Sequence, residues 1–66
     1  MLRVDTMKYE IIVNDVTLIT TTNWMLAEST FCFYCQNAGL FGIKEIYMIT
    51  YCEETGEPIE MKGGAI

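Results

Sequence analysis

Histidine is absent from the 66-residue chain, proline and serine occur once each, at Pro58 and Ser29, and basic side chains number four. Each scarcity removes a class of function. Without histidine there is no ready general base near neutral pH and no imidazole for a zinc site. Arg3, Lys8, Lys44 and Lys62 are too few and too scattered to neutralise a run of phosphates, which argues against direct nucleic-acid binding. No run of about 18 apolar residues exists, because Asp5, Lys8, Glu10, Asn14, Asp15, Asn23 and Glu28 interrupt the first half, so no membrane span is expected. A basic start leading into an apolar run and a cleavage site is missing too, so no signal peptide is expected and the chain reads as cytoplasmic. Gly39, Gly42, Gly63 and Gly64 do not form a phosphate loop after a strand.

What remains is apolar and acidic: 52% hydrophobic, 20% charged, with a net charge of -5. Residues 1–66 make one small domain, and the supply of aliphatic and aromatic residues argues against disorder. A domain of this size buries only about 60% of its unfolded surface, so so apolar a composition leaves hydrophobic side chains outside. Burial and ordering entropy nearly cancel at this length, and self-association or a partner would tip the balance.

The residue order implies strands around one helix. Met7, Tyr9, Ile11 and Val13 alternate with Lys8, Glu10, Ile12 and Asn14, and Val16, Leu18 and Thr20 alternate with Thr17, Ile19 and Thr21. Residues 7–21 therefore read as a hairpin turning at Asn14-Asp15, with residues 1–6 extending the first strand or fraying. The threonines ending at Asn23 offer N-caps for a helix over 23–38, with Trp24, Ala27, Phe31, Tyr34, Cys35 and Ala38 on one stripe. Gly39 is the expected left-handed stop, with Leu40 folding back on the last turn. Residues 43–62 make a second hairpin. Its first strand carries Ile43, Tyr47, Ile49 and Tyr51 on one face and Ile46, Met48 and Cys52 on the other, which predicts a central strand covered on both sides. Pro58, Glu60 and Lys62 put the return strand at an edge.

The fold class is thus α+β, strand-strand-helix-strand-strand, a four-stranded mainly antiparallel sheet with one helix across one face. In element order alone this is similar to the β-grasp domains of immunoglobulin-binding bacterial modules. Their last strand is central, whereas Pro58 and Glu60 place this one outside, and no binding residue is carried over.

Three groups of residues are candidates for function. Cys32 and Cys35 form a C-x-x-C motif, but they lie deep in the helix rather than at its N-terminus, where a redox thiolate would be stabilised. With Cys52 they supply three ligands of the four that zinc needs, so the cysteines are read as small buried hydrophobes, and no metal or cofactor is assigned. Glu53, Glu54, Glu57 and Glu60 surround the second turn and its return strand with no basic residue among them in the sequence. A solvated hairpin, a docking surface for a basic nucleic-acid-binding protein, or a divalent-cation site would each use such a cluster. On the helix, Leu26, Thr30, Phe33 and Asn37 lie off the main stripe and, with Ile46 and Met48, are the expected oligomer interface.

Together these point to a small acidic protein-binding module, oligomeric, with a protein partner in preference to nucleic acid. In general character such chains are similar to the phage and mobile-element inhibitors of host defence nucleases, anti-CRISPR proteins among them. The alternatives are a structural or regulatory oligomeric subunit held by hydrophobic contacts, and a metal-dependent nuclease-like enzyme using the carboxylates.

Overall fold

The computed structural model describes residues 7–66, so the reading of residues 1–6 lies outside it. Strand β1 (Met7–Val13) turns into β2 (Val16–Thr21). Helix α1 (Trp24–Gln36) and a short α2 (Ala38–Phe41) then cross back, and β3 (Glu45–Cys52) and β4 (Pro58–Ala65) complete the chain. The sheet order is β2-β1-β3-β4 and every neighbouring pair is antiparallel. Because β2 and β3 both run against β1, they are parallel to each other, and α1 is the crossover between them. The last strand is at the edge, unlike its counterpart in the β-grasp outline.

The first turn follows from its two residues. Asn14 and Asp15 adopt φ 48° and 68°, the positive values that a two-residue hairpin compatible with strand twist requires. Strict alternation fails on β2, however. Ile11 pairs with Ile19 but Ile12 pairs with Thr17, so Leu18 is an extra residue, and Val16 and Ile19 rather than Val16 and Leu18 keep step with Val13 and Ile11.

Asn23 caps α1 through its side-chain oxygen, which accepts from the Leu26 amide at 3.1 Å. The expected stop at Gly39 is displaced. The chain kinks at Asn37, whose amide and side chain both donate to the Phe33 carbonyl, and resumes as α2. Gly42, at φ 68°, is the left-handed terminator, and Leu40 is exposed instead of folding back.

The core lies between α1 and one face of the sheet: Ile11, Ala27, Ala38, Ile43, Ile46 and Met48, with Tyr9, Val13, Ile19, Phe31, Tyr34 and Cys35 packed around them. Ile43 precedes β3 and is held by its amide to the Ala38 carbonyl at 2.9 Å. The helix covers only one side of β3; Tyr47, Ile49 and Tyr51 face the open side, half-buried by their neighbours, which corrects the expectation of cover on both. Strand β4 runs past Lys62 through Gly63 and Gly64. At Gly63, with φ 111°, a Cβ would lie 2.1 Å from the Ile46 carbonyl oxygen, so only glycine lets this edge strand approach β3.

Candidate functional site

Two regions of opposite character occupy opposite sides of the molecule. The first is the β3–β4 turn. The Gly56 amide donates to the Cys52 carbonyl at 2.7 Å, the Cys52 amide to the Glu57 carbonyl at 2.9 Å, and the Glu57 amide to the Thr55 hydroxyl at 3.2 Å. This closed turn displays Glu53, Glu54 and Glu57 at one tip, and Glu60 follows two residues into β4. All four are exposed. Like charges crowded together without burial repel mildly in water and strongly attract a basic surface brought against them.

Trp24 belongs to the same end. Its place on the apolar stripe of the helix predicts a packed side chain, but it stands 56% exposed at the start of α1. Its helical bearing explains where it faces. Glu28, one turn later, makes a 2.6 Å ion pair with Lys62 of β4, and the same ammonium lies 5.1 Å from the centre of the Phe31 ring. Trp24, Glu28, Phe31 and Cys35 therefore form the β4-facing flank of α1. Stepping from Glu28 back to Trp24 covers about 6 Å, and stepping from Lys62 to Glu60 about 7 Å in the same direction. An exposed tryptophan thus stands toward the same end of the sheet, along the strand direction, as Glu60 and the β3–β4 turn. Sequence periodicity missed this because Trp24 fits the apolar stripe; being the first residue of the helix, it projects past the sheet's cover.

The second region is the far flank of α1 with the β2 edge. Leu26 and Phe33 are 49% and 51% exposed, in keeping with their position off the main stripe. Thr30 and Asn37 are half-buried, and the Asn37 amide is committed to the Phe33 carbonyl at 2.8 Å. Phe33, Tyr34 and Phe41 stack in a triangle with ring centres 5.2 to 5.9 Å apart. Ile46 and Met48 do not join this surface. They are 1% and 4% exposed under α1 and are core residues, because β3 turns its even-numbered side chains toward the helix.

The cysteines are free thiols, and none is buried as expected: Cys32 is exposed, Cys35 and Cys52 are half-covered. Partial burial, with Cys32 nearby, pushes the Cys35 thiol up, against the pull of Lys62, which disfavours a thiolate nucleophile. Among the described residues no three His, Cys, Asp or Glu side chains converge to hold a metal. On the open face of the sheet Glu10 accepts from the Tyr51 hydroxyl at 3.0 Å and from Thr17 at 2.8 Å, with Lys8 5.7 Å from the centre of the Tyr51 ring. That hydrogen bond, with lesser contributions from burial and the carboxylate charge, raises the Tyr51 phenol. No described helix is long and apolar enough to cross a membrane.

Comparison with family models, with characterised proteins and with solved structures finds no match.

Proposed function

We propose that the chain is a protein-binding module that acts by occupying a basic surface of its partner, with Trp24 as the anchor and Glu53, Glu54, Glu57 and Glu60 as the acidic surround. An exposed tryptophan toward the end of the sheet that also displays the acidic turn carries this reading. Tryptophan concentrates binding energy at protein interfaces, and carboxylates around it would steer a cationic partner and fix its orientation. A groove that ordinarily holds nucleic-acid phosphates is the surface such a charge pattern suits. The finer reading, a phage or mobile-element inhibitor of a host nucleic-acid-handling defence protein in the manner of anti-CRISPR proteins, is supported by small size and acidity.

Affinity capture from the native cell tests it. The unmodified chain should retain a basic nucleic-acid-binding protein at about 0.1 M salt and release it near 1 M, where screening shortens to about 3 Å. Reversal of all four glutamates to lysine should abolish capture, and Trp24→Ala should weaken it by about 30-fold, the consequence of losing about 2 kcal/mol. Equal capture by all three proteins would refute the proposal. A structural or regulatory oligomeric subunit is the second reading, favoured by the uncharged flank of α1.

A further inference from the structure

From Val16 to Ile43 the sequence contains one charged residue, Glu28, and it is paired with Lys62 on the β4 side. The residues of β2 and of the far flank of α1 themselves therefore carry no charge in a chain of net charge -5; among the described residues the nearest carboxylates are Asp15 in the first turn and Glu10, which lies across from β2 and accepts from Thr17. The two edges of the sheet are also unequally guarded. Strand β4 carries Pro58, Glu60 and Lys62, features that discourage strand addition; β2 reads Val-Thr-Leu-Ile-Thr-Thr and is interrupted by the bulge at Leu18 alone.

We propose that the β2 edge and the Leu26–Phe33 flank of α1 form a two-fold interface with a second copy of this chain. Side-by-side pairing of identical edges about an axis normal to the sheet makes the strands antiparallel, giving an eight-stranded sheet ordered β4-β3-β1-β2 and its mirror sequence in the partner. Both helices then lie on one face. Because the helices then run antiparallel, Leu26 of each copy looks across the axis toward Phe33 of the other, and exposed Val16 and Phe41 extend the apolar surface toward the first turn. Charge selects a copy of the chain as occupant. Two molecules of the same negative sign repel most through their acidic turns, whereas this pairing joins strands and helix flanks without charged residues of their own and carries the two acidic turns to opposite outer ends. The pairing also gives the unpaired amides and carbonyls of β2 matching partners, because antiparallel strands of one sequence are self-complementary about the axis.

Native mass and sedimentation at about 100 μM test the interface, with two variants designed to spare the fold. Thr20 is exposed and pairs across the strand with Glu10, so Thr20→Lys adds charge to the edge while supplying a cross-strand ion pair within the monomer. Phe33→Glu sets a carboxylate from each copy against the apolar Leu26 of the other. The unmodified chain should run at twice its 7.6 kDa mass, independent of salt, and each variant should shift to monomer with an unchanged far-ultraviolet spectrum. Amides of β2 should exchange slowly in the dimer and fast after dilution. A monomer at this concentration, or a dimer that survives both substitutions, would overturn the proposal; the first result would leave the edge to a strand from another protein.

Discussion

At Asn14 a positive φ and a saturated side chain coincide. The side-chain oxygen accepts from the Lys44 and Glu45 amides at 2.8 and 3.2 Å, its nitrogen donates to the Gly42 carbonyl at 3.2 Å, and the backbone amide donates to the Glu45 carbonyl at 3.1 Å. One residue thus ties the first turn to the end of the helical segment and the start of β3. Asn14→Ala should cost about 2–3 kcal/mol, from lost hydrogen bonds and from alanine's strain at φ 48°. Asn14→Gly keeps the turn and should cost about half as much; thermal melts distinguish them, since about 1 kcal/mol moves the midpoint by roughly 4–8 °C in a domain of this size. Tyr51 gives a pH signature. Its folded-state phenol is raised above the ordinary value of about 10, so its stabilising contribution is complete below pH about 10 and is lost as pH rises through the folded value. Urea midpoints measured from about pH 8 to pH 11 should fall at the alkaline end, and Tyr51→Phe should remove that part of the fall. The turn at Asn14 was legible because two consecutive residues tolerant of positive φ separate two alternating runs. The three hydrogen bonds of its side chain were not, since they reach residues about 30 positions away.

Among the elements, those with local causes were legible and those set by packing were not. Both hairpins, the Asn23 cap and the edge position of β4 follow from turn residues, a capping amide and Pro58. The end of α1 does not. Gly39 satisfied the local rule for a helix stop, but the kink at Asn37 lets Ala38 enter the core and passes the left-handed position to Gly42. A pair of substitutions measures the difference. Gly39→Ala meets nothing within 4 Å of its new Cβ and should raise stability by about 0.5–1 kcal/mol, whereas Gly42→Ala, at φ 68°, should lower it by about 1–2. If Gly39 were the terminator the order would reverse. Alternation also hid the bulge at Leu18 and the single-sided cover of β3, because a strand with two apolar faces does not reveal which of them the helix will take. Ile46 and Met48 passed from interface to core for that reason, and Trp24 passed from core to surface because the helix begins beyond the edge of its own footprint.

In the whole molecule, charge is segregated. The β3–β4 turn gathers Glu53, Glu54 and Glu57, with Glu60 following in β4, whereas β2 and its flank of α1 hold no charged residue of their own. An excess of hydrophobic residues in so short a chain is thereby divided between a one-sided core and exposed side chains such as Leu26 and Phe33, while four of the nine acidic residues gather around the β3–β4 turn, where the proposed basic partner would meet them. Pairing through β2 would present two acidic ends on one particle, and a partner with two basic sites, or two partners, would be bound with the advantage of bivalency. The most direct test of the account is competition on the captured partner: its own nucleic acid, labelled, titrated with this chain at low and high salt. The account predicts mutually exclusive binding, with displacement that weakens steeply as salt rises and disappears when Glu53, Glu54, Glu57 and Glu60 are reversed. A stable ternary complex of partner, nucleic acid and this chain would contradict it.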